Sequence, residues 1–143
     1  MLKTLPRKRL DYDPAMSVGT PVNILILDDS SFDRLRIRRE VSRSGITAQI
    51  DEIACLCHLQ DALDGKRYDV VIIDYFLPDG TGVEALDILL GHEVNRNAKP
   101  LLVSGNPWLN QESIRERVSS VTFLQKGKLG YGEILREFAM SQN

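Results

Sequence analysis

The sequence predicts an α/β domain: a parallel sheet with helices packed on both faces. Three observations carry that prediction. Short apolar runs alternate with stretches of helical periodicity, five times over. The runs at 24–27 and 70–73 are apolar throughout rather than alternating, as strands covered on both faces must be. The length of 143 residues, 43% of them apolar, suits one ordinary globular domain. With right-handed crossovers, these units close into one doubly wound sheet.

The elements follow in chain order. Residues 1–21 hold Pro6, Pro14, Pro21 and the basic cluster Arg7-Lys8-Arg9, with little periodicity, and read as a flexible N-terminal extension. Val22 opens the main unit, 22–143. Strand one covers 22–27. A helix follows over 31–44, with Ser30 or Ser31 as its cap and Gly45 as its stop. On this helix Ile37 and Val41 share a face, while Phe32 and Leu35 fall away from it among five arginines. Phe32 is then either a staple for the helix start or, with Leu35, part of an apolar and basic docking surface. Strand two covers 48–54, and a short helix over 58–65 ends at Gly65. Strand three covers 69–74. The helix at 82–92 places Val83, Leu86 and Leu90 three and four apart. Strand four covers 100–104, a helix 109–119 carries Ile114 and Val118, and strand five covers 121–125. The last helix, 131–140, spaces Tyr131, Ile134, Leu135 and Phe138 at i, i+3, i+4, i+7.

Composition removes several classes. A net charge of −2 and a pI near 5.7 supply no global attraction to nucleic acid or anionic membrane. No apolar stretch approaches the roughly 20 residues that span a bilayer, and the N-terminus lacks the apolar core of a secretory signal. The two cysteines, Cys55 and Cys57, fit no familiar zinc spacing with His58 or His92. They read as two reduced thiols in a cytoplasmic protein.

The chemistry gathers at strand ends. Strand one ends in Asp28-Asp29, strand three in Asp74, strand four in Ser104, and strand five close to Lys126. Ligands of open α/β sheets bind outside the carboxyl ends of the strands. Singly, each residue has a plainer reading. Asp29 could cap a helix, Ser104 before Gly105-Asn106-Pro107 could form a turn, and Lys126 could be solvated. Jointly they do not read that way, because all five lie at the same end of their strands. Three carboxylates in one crevice repel unless a cation is present. Asp28 or Asp29, Asp74, the Phe76 backbone carbonyl and waters suit Mg²⁺ (or Mn²⁺), which takes oxygen ligands in an octahedron. An aspartate can attack phosphorus and form an acyl phosphate. Lys126 offers a compact charge to phosphoryl oxygens, and Ser104 offers a hydroxyl.

These residues resemble the receiver domain of two-component response regulators. The resemblance covers about residues 22–140. It rests on Asp28-Asp29, on Asp74 within Asp-Tyr-Phe-Leu-Pro-Asp-Gly-Thr-Gly, on Ser104, and on Lys126 with Phe123 three residues before it. It implies a flavodoxin-like (βα)5 three-layer sandwich with parallel strand order 2-1-3-4-5. It also implies that Asp74 is phosphorylated from the phosphohistidine of a sensor histidine kinase or histidine phosphotransfer protein. The metal would be held by Asp29, Asp74 and the Phe76 carbonyl, with Asp28 helping through water. Ser104 and Phe123 would form the switch that alters contacts with a downstream protein target.

Two positions depart from the family pattern. Gly127 stands where proline usually follows the lysine, so the loop there should take a different shape. Phe76 stands where fast-cycling members often carry a polar residue, and should restrict water near an acyl phosphate. Only Ser141, Gln142 and Asn143 follow the last helix, so a stand-alone receiver without DNA binding or membrane insertion is expected. The alternatives are a pseudo-receiver that binds a partner without phosphorylation and an aspartyl-nucleophile phosphatase. The latter would usually carry Asp-x-Asp, where this chain has Asp74-Tyr75-Phe76.

Overall fold

The computed structural model describes residues 21–106, 111–127 and 130–141; the expected extension over 1–20 lies outside them. Five parallel strands form the main sheet. They are β1 (Val22–Leu27), β2 (Ala48–Ile53), β3 (Val70–Asp74), β6 (Lys99–Ser104) and β7 (Thr122–Gln125). The order is β2-β1-β3-β6-β7, which in main-sheet strands alone is 2-1-3-4-5. Two-residue strands β4 (Phe76–Leu77) and β5 (Gly80–Thr81) form a small antiparallel hairpin after β3. The sequence reading did not separate this hairpin, because four paired residues are too few for a periodicity to register.

Among the described residues, five α-helices flank the sheet: α1 (Ser31–Arg43), α2 (Leu59–Gly65), α3 (Gly82–Leu90), α4 (Gln111–Arg117) and α5 (Tyr131–Ser141). Alternate residues of each strand point to opposite faces, and two cores result. Leu25, Leu27, Val71, Ile73 and Leu102 pack against Leu59 and Leu63 of α2, Ala85, Leu86 and Leu89 of α3, and Ile114 of α4. Ile24, Ile26, Val70, Ile72, Leu101 and Val103 pack against Ile37 and Val41 of α1 and Tyr131 and Leu135 of α5. This is a three-layer sandwich, and β3 is buried at every residue, as its unbroken apolar run required.

Local chemistry sets the boundaries. Ser30 caps α1, its side chain accepting from the Asp33 N–H. Gly45, just past the C-cap, has φ 82°. Thr81 and Glu84 form a reciprocal capping box at the start of α3. Gly82 is required by proximity: a Cβ there would sit 2.5 Å from Leu102 Cδ1 and 3.0 Å from the Asp74 carbonyl oxygen. Buried Asn95 ties α2 to β3, accepting from the Tyr68 N–H and donating to the Leu63 and Lys66 carbonyls.

Four sequence expectations need correction. On α3 the buried stripe is Ala85, Leu86 and Leu89, with Leu90 facing outward; α3 begins against the Asp74–Tyr75 backbone, and that docking sets its rotation. Phe32 is 65% exposed, so it is open surface and not a packed staple. A 3-10 turn, Leu56–His58, precedes α2, where a helix was expected only from 58. Cys55 and Cys57 are joined in a disulfide and are not two free thiols. The Leu56–His58 turn folds the chain back, leaving their Cα atoms 5.2 Å apart, within ordinary disulfide range.

Candidate functional site

The five strand-end residues meet at one mouth of the sheet. β1, β3 and β6 run parallel in the register Leu27↔Ile73 and Asp74↔Val103, which brings their C-terminal ends level. β7 pairs Ser104 with Gln125, setting Lys126 one step beyond. One carboxylate oxygen from each of Asp28, Asp29 and Asp74 lies within 4.8 Å of the others. Asp28 and Asp74 are buried and Asp29 is exposed.

Lys126 is the hub of this cluster. Its Nζ donates to Asp74 Oδ2 at 3.1 Å and to Asp33 Oδ2 at 2.7 Å, and lies 3.5 Å from Asp28 Oδ2. Its backbone N–H donates to the Ser104 carbonyl, so the strand pairing itself aims the side chain. Gly127, with φ 83°, then turns the chain away in the left-handed region.

Electrostatics follow from burial. Desolvation pushes the Asp28 carboxyl up to about 6; the Ser30 N–H opposes this and the Asp74 charge adds to it. Desolvation also raises Asp74, against the hydrogen bond and charge of Lys126. For Lys126, burial favours the neutral amine, but hydrogen bonds to Asp33 and Asp74 and the Asp28 charge outweigh it and raise its pKa. Two buried acids held partly against ionisation, beside a firmly charged lysine, fit a divalent cation bound through oxygen.

The remaining predicted residues lie around this cluster. Ser104 is buried, and its Oγ accepts from the Asn106 N–H at 2.9 Å, so it forms a turn at the end of β6. The Phe76 N–H lies 3.4 Å from Asp74 Oδ1, while its ring is 59% exposed and meets Tyr75 edge-on. Phe123 is partly buried, with the Arg115 guanidinium 5.0 Å above its ring. It borders a cleft of about 230 Å³ that Ser104 also lines.

Asp33 escaped the sequence reading. It sits in the first turn of α1, where an acid is unremarkable beside a helix N-terminus. Only its position three residues after a serine cap hinted that its side chain points back toward the mouth. Asp79 also escaped: its carboxylate accepts from the Leu56 and Cys57 N–H groups, both at 2.9 Å, tying the β4–β5 hairpin to the turn before α2.

No protein-family model and no curated protein matches the sequence. Solved structures do match. The receiver domain of the sensor histidine kinase PA1611 from Pseudomonas aeruginosa, with a magnesium ion in its active-site cleft, aligns over 83% of this chain and 95% of its own. Its TM-score is 0.68 and its identity 18%. The chemotaxis response regulator CheY4 of Vibrio cholerae aligns over 83% of this chain and 99% of its own, at TM-score 0.71 and 18% identity. A response regulator from Burkholderia pseudomallei, with a phosphorylated aspartic acid and a calcium ion, aligns over 85% of this chain and 75% of its own. Its TM-score is 0.64 and its identity 15%. Parallel order β2-β1-β3-β6-β7, helices on both faces and these alignments together show that the chain has the flavodoxin-like fold of response-regulator receiver domains.

Proposed function

We propose that this chain is a phosphoacceptor signalling module in which Asp74 takes a phosphoryl group from a phosphohistidine donor. The observation that carries this reading is the Lys126 ammonium, 3.1 Å from the Asp74 carboxylate in a mouth that also holds Asp28 and Asp29.

In this reading an Asp74 carboxylate oxygen attacks phosphorus in line with the leaving imidazole nitrogen. The new O–P bond forms as the N–P bond breaks, and the nitrogen keeps the electron pair. Lys126 holds one phosphoryl oxygen, and the Ser104 hydroxyl, which accepts from the Asn106 N–H through a lone pair, has its proton to donate to another. Asp28, Asp29, Asp74 and the Phe76 carbonyl would hold Mg²⁺, which when bound screens the charge between carboxylate and phosphoryl group. Drawing Ser104 inward gives the Phe123 ring reason to turn toward the adjoining cleft. That movement would bias an existing equilibrium on the face of α4, β7 and α5, where a downstream protein target would read it.

Incubation with a small phosphodonor and Mg²⁺, followed by intact mass, tests the reading. One added phosphoryl group is expected in the wild-type chain and none in Asp74→Asn. No adduct on the wild type would instead favour a partner-binding pseudo-receiver, and steady phosphate release would favour a phosphatase.

Two further results are expected. In this reading the apolar Phe76 side chain, two residues past Asp74, restricts water near the acyl phosphate, so Phe76→Asn should shorten its lifetime; an unchanged decay rate would count against that role. Phe32 and Leu35, 65% and 45% exposed on α1 beside the mouth, present an apolar patch with Arg36 over the Phe32 ring. We assign this patch to docking of the protein donor, a histidine kinase or phosphotransfer protein. Polar replacement of both should slow transfer from that donor by about tenfold, as loss of an apolar anchor does, and leave labelling by a small phosphodonor intact. Equal transfer rates would remove the docking role. The described residues contain no helix long and apolar enough to cross a membrane, and a cytoplasmic location belongs to the same reading.

A further inference from the structure

The turn before α2 carries a second cluster of ligating groups, on the same side of the sheet as the acidic mouth but chemically distinct from it. The Sγ atoms of Cys55 and Cys57 and a ring nitrogen of His58 all lie within 4.8 Å of one another. Cys55 Sγ is 3.5 Å from His58 Nδ1. Cys57 and His58 are exposed and Cys55 is half-buried, so the group is open to solutes. In the oxidised chain the two sulfurs are bonded to each other.

We propose that, once this disulfide is reduced, Cys55, Cys57 and His58 bind one zinc ion, leaving a fourth position for water or a partner's ligand. Two thiolates on a tetrahedral zinc, with Zn–S near 2.3 Å, stand about 3.8 Å apart. Cα atoms 5.2 Å apart reach that separation with side-chain rotation alone. The turn also has a scaffold independent of the sulfur–sulfur bond. Asp79 accepts from the Leu56 and Cys57 N–H groups, and Leu56 packs so closely on Gly80 that a Cβ there would lie 2.3 Å from Leu56 Cδ1. The ligands therefore stay gathered after reduction. Two sulfurs and an imidazole select a borderline-soft ion, whereas the oxygens of Asp28, Asp29 and Asp74 select a hard one. The two sites do not compete, and this inference does not depend on Asp74 being a phosphoacceptor.

The chemistry balances simply. A phosphine reductant passes two electrons to the disulfide, giving two thiols and, with water, the phosphine oxide. Metal binding then displaces the thiol protons to solvent.

The test uses the full chain, reduced with a phosphine, desalted without oxygen, and titrated with Co²⁺ as a spectroscopic stand-in and then with Zn²⁺. A sulfur-to-cobalt charge-transfer band should grow to one equivalent and disappear as Zn²⁺ displaces the cobalt. The band should be missing from the oxidised chain and from Cys55→Ser/Cys57→Ser. It should persist in Asp74→Asn. His58→Ala should weaken binding by about tenfold or more, since even outer-shell losses cost that much. No band in the reduced wild-type chain, or a band that survives the double serine variant, would overturn the proposal.

Discussion

Replacing Lys126 with alanine should slow phosphoryl uptake by Asp74 about 10²–10³-fold, the usual effect of removing one preorganised donor from a site of developing charge. The effect should be this large because the ammonium is positioned before any donor arrives: its backbone N–H is fixed by the Ser104 carbonyl and its Nζ by Asp74 and Asp33. Lys126→Arg should recover little, since a planar guanidinium cannot occupy the place of a compact ammonium between three carboxylates. The same substitution to alanine should also lower stability when no metal is present. Asp28 and Asp74 are buried and would lose their nearest positive charge. Intact mass over time after addition of a small phosphodonor and Mg²⁺ gives the rate, and urea denaturation in a chelator gives the stability. An uptake rate within about threefold of wild type would remove Lys126 from the transfer step, because one effective donor is worth far more than that.

The metal-free protein should become less stable as pH rises from about 5 to 8, the reverse of ordinary carboxylate behaviour. The sign follows from Asp28, whose folded pKa of about 6 lies above its ordinary 3.8. Between those values the native state binds more protons than the unfolded one. The stabilisation is therefore complete below the unfolded value and lost as pH climbs through the folded value. From pH 5 to 8 the loss due to Asp28 is on the order of 1–1.5 kcal/mol, and raised Asp74 acts in the same direction. Asp51 and Glu52, lowered by Tyr68 and Arg38 respectively, have the opposite sign. Their contribution, however, is essentially complete above their ordinary values and drops out of this window. Urea denaturation of wild type and Asp28→Asn at both ends of the range isolates the effect, since the variant should lose less stability. Added Mg²⁺ should raise stability more at pH 8 than at pH 5, because it binds the ionised acids. Parallel pH profiles for the two proteins would show that Asp28 is not held against ionisation.

The parts of this protein legible in its sequence are those that local pattern encodes. Val70-Val71-Ile72-Ile73 announced a strand buried on both faces, and the structure buries every residue of it. Once the five strands are parallel, topology alone puts Asp28, Asp29, Asp74, Ser104 and Lys126 at one end of the sheet, because each lies at the end of its strand or within two residues past it. Helix faces were less legible. On α3, Leu86 and Val83 meet the core as their spacing implies, but Leu90 faces outward and Ala85 and Leu89 complete the buried stripe, because the Gly82 contact with the Asp74–Tyr75 backbone sets the rotation of that helix. A sequence period fixes which residues share a face, and not which way the face turns.

Tertiary structure alone decided the pairings between distant residues. Asp33 and Lys126 are 93 positions apart; their ion pair depends on how the first turn of α1 rises over the end of β7, and no local pattern records that. The clasp of Asp79 on Leu56 and Cys57 joins two segments distant in sequence, and the Cys55–Cys57 bond spans the 3-10 turn that this clasp holds. The sequence by itself determined the strands, their buried faces and the residues carried at their ends, since burial periodicity is a property of each segment. It left to the fold which acid holds the lysine and what state the two cysteines take, since those are properties of segments brought together.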